Sequence, residues 1–257
     1  MSAPVRLYVP ADLASGAMVA LDEAQSHYLR NVMRLNAGDA ILLFNGKIGE
    51  WRARIETLGK KSANLICLEQ TREQRASPDL WLLFAPLKRA RIDLVAEKAG
   101  ELGVSRLIPV ITARTDSTRV NTGRLRAHAI QAAEQCERLD VPIVDEPRPL
   151  DRVLSDWDKT RRLILAAEAG PANPACDVLP AMAGQPAAIL IGPEGGFTEA
   201  ELEDLVERSY VDAIRLGPRI LRAETAAIAS LSLWQGLCGD WRILRADRTK
   251  TIVRPLR

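Results

Sequence analysis

The sequence predicts an α/β protein in two parts, a small β-rich barrel followed by a larger α/β domain built on a parallel sheet. Three observations carry that prediction. Up to about residue 68 the chain offers short strand patterns at close spacing, broken by turn signals, as a small barrel does. From residue 80 strands alternate with helices, the mark of βαβ units and hence of parallel pairing. Between them, residues 69–77 are polar and Pro78 follows, the composition of a linker. A chain of 257 residues is long enough for both parts to bury a core. The boundaries so read are 1–70 for the barrel, 71–78 for the linker, 79–240 for the larger domain and 241–257 for a basic tail.

In the first part, strands are expected at 6–9, 18–21, 40–44, 50–58 and 63–68, with Asn45-Gly46 and Gly59-Lys60-Lys61 as turns. One helix interrupts them at 22–33. It carries Arg30 and Arg34 four apart on one face, and Arg52, Arg54, Lys60 and Lys61 follow on later strands and a turn. Basic residues so grouped neutralise phosphates without reading sequence.

In the second part, strand 80–85 leads to helix 89–102. Its stripe is Ile92, Val95, Ala96 and Ala99, and Gly103 ends it. Lys88 and Arg89 at its start are further candidates for RNA contact. Strand 106–111 and helix 122–138 follow, the helix with Leu125, Ala129, Ala132, Ala133 and Cys136 as its stripe. Glu134 and Arg138, at i,i+4, read as a surface ion pair. Residues 163–167 and 187–191 are short buried strands. Thr198 with Glu201 three positions on forms a capping box for a helix with Leu202, Leu205 and Val206 inward. Strand 213–216 precedes helix 226–237, which is apolar almost all round and must be buried in a core or against a partner chain. After Trp241 come Arg242, Arg245, Arg248, Lys250, Arg254 and Arg257 against the single acid Asp247, a tail that either touches RNA or merely solubilises the chain.

Composition excludes several classes. A net charge of +2 does not by itself announce a nucleic-acid partner, so RNA contact must come from local clusters. Cys67, Cys136, Cys176 and Cys238 are far apart and lack Cys-x-x-Cys spacing. No metal site and no disulfide framework is expected; buried free thiols in a reducing compartment, the cytoplasm, are. Asp12 within the first apolar stretch and the lack of a basic n-region argue against a signal peptide. The longest uncharged run, 178–193, holds three prolines and two glycines and cannot span a membrane as a helix.

The chemistry is expected in the loops after the late strands. Gly192-Pro193-Glu194-Gly195-Gly196 follows one, Gly217-Pro218-Arg219-Ile220-Leu221-Arg222 another, and Glu168-Ala169-Gly170-Pro171 a third. Loops at the carboxyl ends of strands in an open α/β sheet are where small molecules bind. Gly195 and Gly196 free the backbone for positive φ and for close approach to a ligand. Neither Gly-x-Gly-x-x-Gly after an early strand nor Gly-Lys-Ser/Thr is present, which removes Rossmann enzymes and P-loop NTPases.

Leu190-Ile191-Gly192-Pro193-Glu194-Gly195-Gly196, followed by Leu216-Gly217-Pro218-Arg219-Ile220-Leu221-Arg222-Ala223-Glu224-Thr225-Ala226, resembles the signature of the SPOUT methyltransferases. It is most similar to the RsmE branch, which methylates N3 of a uridine in small-subunit (16S) ribosomal RNA near the decoding region. His27-Tyr28-Leu29-Arg30-Asn31-Val32-Met33-Arg34-Leu35, with Gly38-Asp39, fits that branch's N-terminal PUA-like RNA-binding domain. Ala132-Ala133-Glu134-Gln135-Cys136 matches another of its motifs, with Glu137 where the family has glycine.

The resemblance implies a C-terminal trefoil knot, a homodimer through the C-terminal domain, and S-adenosylmethionine bent between three loops. Cofactor contacts would fall to Leu165, Ala166 and Glu168, to Ile191, Gly192, Gly195 and Gly196, and to Leu216, Gly217, Ile220 and Leu221. Of these, Leu165, Ile191, Leu216 and Leu221 would pack on the adenine. Arg222 would stabilise the uracil anion together with the helix N-terminus, its alternative being an ion pair with Glu224. Glu194 and Glu224 would accept a proton or position the substrate, Thr225 would cap the helix, and His27 and His128 are ordinary surface histidines. The partner would be 16S rRNA in the small ribosomal subunit, with no membrane. Two rival readings remain: another RNA base or a ribose 2′-hydroxyl as acceptor, and a non-catalytic RNA-binding assembly protein.

Overall fold

The structure is a computed structural model that describes residues 4–116 and 119–242, apart from the side chains of Arg89 and Arg242. The basic tail beyond Arg242 therefore lies outside the described residues. In chain order the elements are β1 (Arg6–Tyr8), β2 (Met18–Leu21), α1 (Glu23–His27), β3 (Ala40–Phe44), β4 (Glu50–Leu58) and β5 (Ala63–Arg72). Then come β6 (Leu80–Phe84), α2 (Arg89–Glu101), β7 (Arg106–Ile111), α3 (Thr122–Cys136), β8 (Ile143–Val144), β9 (Arg148–Pro149) and α4 (Leu150–Ser155). The last are β10 (Arg162–Ala166), β11 (Asn173–Pro174), α5 (Ala175–Val178), β12 (Ala187–Ile191), α6 (Glu199–Glu207), β13 (Val211–Arg215) and α7 (Ala223–Leu237).

The chain divides into two compact units, and the first takes in residues up to 76 together with 133–140. Its sheet runs β1-β3-β4-β5-β2, parallel between β1 and β3 and antiparallel elsewhere. All five strands send alternate residues into one core, among them Leu7, Val19, Leu43, Ile55 and Leu65, and Leu29 closes it. The hydrogen-bonded ladder ends at the short strands β1 and β2, which do not pair with each other among the described residues. β5 continues through Arg72, into the polar stretch read as linker.

The expected helix at 22–33 starts on Asp22, whose carboxylate accepts from Gln25 N at 2.8 Å. It ends as a single π-helical stretch, Tyr28–Val32, with Met33 N bonding to Tyr28 O at 3.0 Å. Arg34 lies beyond that end at φ 56°, so Arg30 and Arg34 do not share a helix face as the spacing suggested.

The turn after α3 keeps its left-handed geometry although glycine is absent: Glu137 adopts φ 65°. Arg6 locks this turn in place. Its Nη1 donates to Ala133 O (2.9 Å) and Glu134 O (3.0 Å), and Nη2 to Arg138 O (2.9 Å). Its Nε donates to Glu50 Oε2 at 2.7 Å, with both side chains about 5% exposed or less. A buried cation with four of its five N–H donors bonded in this way, at a helix C-terminus, costs several kcal/mol to remove, about 3–5. Glu134 accepts from Tyr8 N at 2.9 Å and Arg138 pairs with Asp140, so the expected Glu134–Arg138 ion pair is not formed. Glu134 is taken by a backbone amide of β1, and Arg138 by an acid two residues further on.

In the second unit the sheet order is β11-β13-β10-β12-β6-β7-β8, every pairing parallel, with β9 beside β7. β12 is buried along its whole length. Its odd residues, Ala187, Ile189 and Ile191, face a core with α2, α5 and α7. Its even residues, Ala188 and Leu190, face a second core with α4 and α6. That two-sided cover is why the strand reads as a continuous apolar run.

α7 buries Ala227, Ser230, Leu231 and Trp234 against α2 and β12. Its one buried amide, Gln235, donates to Leu102 O at 2.6 Å and accepts from Asp240 N at 3.0 Å. Gly103, at φ 79°, is required twice over, since a Cβ there would also meet Gln235 Nε2 at 2.7 Å. Of the cysteines only Cys67 is buried, and burial pushes its thiol pKa up; Cys176 is exposed, contrary to expectation. Among the described residues no helix is long and apolar enough to cross a membrane.

Candidate active site

Because β10, β12 and β13 are parallel neighbours, the loops that leave them emerge at one edge of the sheet. The registers Leu165↔Leu190 and Leu165↔Ala213 align the strand ends. This brings together all three loops singled out from sequence. Leu165 (0% exposed) and Ile191 (3%) end buried strands with their side chains in the cores, so they offer the edge backbone rather than the expected adenine-facing side chains. The apolar surface at the edge comes instead from Leu216 and Leu221, half-buried, and from Ile220, 78% exposed. Ala166 and Gly192 are half-buried there, Glu168 and Gly195 exposed.

The glycines serve different ends. Gly196 (φ 68°) and Gly217 (φ 109°) sit in left-handed backbone, and a Cβ on either would meet nothing within 4 Å. Open space over permissive backbone suits a ligand pressed against the chain. At Gly192, by contrast, a Cβ would strike the Phe197 ring at 2.7 Å, so that glycine is a packing requirement. Arg114 Nη1 holds this loop by donating to Gly195 O (3.0 Å) and Phe197 O (3.3 Å). The capping box closes it: Thr198 N to Glu201 Oε2 at 2.8 Å, Glu201 N to Thr198 Oγ1 at 3.2 Å.

At the same edge Glu194 and Glu224 converge on one guanidinium that sequence reading passed over, Arg91. It pairs with Glu194 and lies 3.5 Å from Glu224 Oε1. Glu224 Oε2 is buried without a hydrogen-bond partner. Arg222 is the N-cap of α7, exposed, with no side-chain cap on the helix and no ion pair among the described residues; the alternative pairing with Glu224 is therefore not formed. Thr225, read as a possible cap, lies inside α7 and is exposed. One signal for Arg91 was available: Lys88-Arg89-Ala90-Arg91 sets cations in a first helical turn, where the dipole disfavours them, and no acid accompanies them.

Lys88 is the N-cap of α2, exposed, and has no ion pair among the described residues. Arg89 keeps its place in that turn, but its side chain lies outside the described part. In the first unit Arg30 and Arg34 are exposed, whereas Arg52 is ion-paired with Glu69 and is thus partly neutralised. No cluster suited to a metal occurs among the described residues.

Comparison with known proteins shows the family to which the chain belongs. Residues 74–235 match the family described as RNA methyltransferase domain, and residues 21–66 match the RNA methyltransferase PUA domain. The ribosomal RNA small subunit methyltransferase E of Rickettsia conorii is 34% identical over 230 residues, covering 88% of this chain and 93% of that protein. The Bacillus subtilis protein of the same name is 31% identical over 234 residues, covering 86% and 90%. Among solved structures, that of the Neisseria gonorrhoeae methyltransferase of this name, bound to S-adenosyl methionine, aligns with a TM-score of 0.84 at 30% identity, over 93% of this chain and 100% of that one. The chain belongs to the RNA methyltransferase family, in the branch of the ribosomal RNA small subunit methyltransferases E.

Proposed function

We propose that this S-adenosylmethionine-dependent 16S rRNA methyltransferase acts on N3 of a uridine near the decoding region, within the small ribosomal subunit, in the cytoplasm and as a homodimer. The observation that carries the reading is the edge itself: three strand-end loops beside an exposed Arg222 at a helix start with no side-chain cap. The loops suit the cofactor. Gly196 and Gly217 leave room for its backbone-hugging parts, and Ile220 offers an exposed apolar face for adenine.

The cofactor supplies a methyl group on a sulfonium, so the protein's work is alignment and exclusion of water. Uracil N3 carries a proton and becomes nucleophilic only when that proton leaves. The resulting anion spreads its charge onto the ring oxygens. Arg222 and the first amides of α7 stabilise that charge where it develops. Glu224, with one oxygen on Arg91 and the other unpartnered, is the carboxylate placed to take or hold the N3 hydrogen, and Glu194 keeps Arg91 in position.

Knotting of the chain belongs to this reading. It is supported by α7 packing against α5 and the turn Leu179–Met182 as well as against α2. Dimerisation is supported by Ile228 on the same helix, left half-exposed in the single chain. The test is Arg222→Ala. Calorimetry should give S-adenosylmethionine affinity within about threefold of wild type, while methyl transfer falls about 10²–10³-fold, as when one charge-stabilising donor is lost. Transfer at the wild-type rate would remove Arg222 from the mechanism.

A further inference from the structure

Glu194 follows β12 and Glu224 opens α7 after β13, and these two strands are not neighbours, because β10 lies between them. The two carboxylates are joined across that intervening strand by one group, the Arg91 guanidinium, which comes from the first turn of α2. Its base is firm. Ile92, Val95, Ala96 and Ala99 of α2 are buried in the core that the helix shares with α7.

Stability does not account for this arrangement. The side chains of Arg91 and Glu194 are 33% and 31% exposed, and ion pairs at such exposure add little. A cation in a first helical turn is opposed by the helix dipole, and no acid in that turn offsets it. A residue set against its own helix and little repaid by its ion pairs marks a functional position. Glu224 differs from Glu194 in being 12% exposed at its side chain. Its Oε1 lies 3.5 Å from Arg91 Nε, while Oε2 is buried with no hydrogen-bond partner. With one oxygen drawn to Arg91 the carboxylate is held in orientation, and the other is left for a donor that a ligand brings.

We propose that Arg91 is a positioning residue for methyl transfer: it fixes the Glu224 carboxylate so that Oε2 meets the hydrogen of the acceptor nitrogen, and through Glu194 it sets that carboxylate against the cofactor loop. The inference rests on the reading of Glu224 given above and deepens it. A guanidinium serves two carboxylates at once because its donors lie on a rigid planar fork, whereas an ammonium is a single point of charge. The cofactor loop has other anchors, since Arg114 holds the carbonyls of Gly195 and Phe197 and the Thr198–Glu201 box closes it. Loss of Arg91 therefore frees Glu224 to swing while the cofactor still binds. Misplacement of a reacting group by about 1 Å costs on the order of 100-fold in rate.

The test compares Arg91→Gln, Arg91→Lys, Glu224→Gln and the double variant Arg91→Gln/Glu224→Gln, with small ribosomal subunits from cells lacking the protein as methyl acceptor. Calorimetry should give S-adenosylmethionine affinities within about threefold of wild type for all four, which also shows that each folds. Arg91→Gln should lower kcat roughly 30- to 100-fold with KM for subunits within about threefold. Arg91→Lys, which keeps the charge and loses the fork, should recover part of that and lie about five- to tenfold below wild type. Glu224→Gln should lower kcat about 100-fold or more. Because Arg91 acts through Glu224, the double variant should be within about twofold of Glu224→Gln, whereas independent losses would multiply. Should Arg91→Gln fail in calorimetry, Arg91→Lys takes its place in the cycle. Wild-type kcat in the Arg91 variant, a multiplied loss in the double variant, or loss of cofactor binding by both Arg91 variants overturns the positioning role and leaves Glu224 standing. Wild-type transfer by Glu224→Gln is a separate failure: it removes Glu224 from the mechanism, and with it the reading on which Arg91 depends.

Discussion

At the level of single residues, two described residues other than glycine, Arg34 and Glu137, hold backbone that favours glycine. Glu137 (φ 65°) stands where glycine is usual in the family it resembles, and the left-handed turn is kept rather than rebuilt because Arg6 grips the carbonyls of Ala133, Glu134 and Arg138 around it. The strain of a non-glycine residue there is about 1 kcal/mol. Glu137→Gly should therefore raise stability by about that amount in denaturant titration; no gain would mean that the Glu137 side chain repays its own backbone cost. Sequence reading singled out Glu194, Glu224 and Arg222 because they lie inside a motif. It passed over Arg91 and Arg114, which stand far from the motif in the chain and reach it only through folding.

At the level of elements, strands and helices were legible almost to the residue where burial sets the pattern: β12, β7 and α6 follow from apolar runs and a capping box. Where side-chain pattern and backbone pairing part company, the reading failed. Residues 69–72 are polar and look like linker, yet the β4 ladder carries them as strand, with Trp51 opposite Gln70 and Glu50 opposite Arg72. Helix α3 gives a pH prediction. Burial raises the Glu134 pKa, with the Tyr8 amide and Arg6 working against it. A carboxyl with a raised folded-state pKa binds its proton more tightly folded than unfolded. Its ionisation thus costs stability as pH rises from the ordinary carboxylate value through the raised one. Glu134→Gln, which still accepts from Tyr8 N, should raise Tm at pH 7 and give no gain at pH 3. An equal gain at both pH values would show that ionisation is not the cause.

At the level of the whole molecule, the three layers of the second unit followed from alternating strands and helices, since a parallel sheet needs cover on both faces. Strand order did not follow, because nothing local tells β13 to lie beside β10 rather than β12. It is that order which sets three loops on one edge, so the site was legible as pieces and not as an arrangement. Light scattering at micromolar concentration should give twice the single-chain mass; the single-chain mass would remove the homodimer. The most direct test of the central claim is transfer of labelled methyl from S-adenosylmethionine to small ribosomal subunits from cells lacking this protein, followed by digestion to nucleosides. Label is expected in N3-methyluridine alone; label in any other nucleoside, or none from protein shown to bind S-adenosylmethionine, would contradict N3 methylation of a uridine.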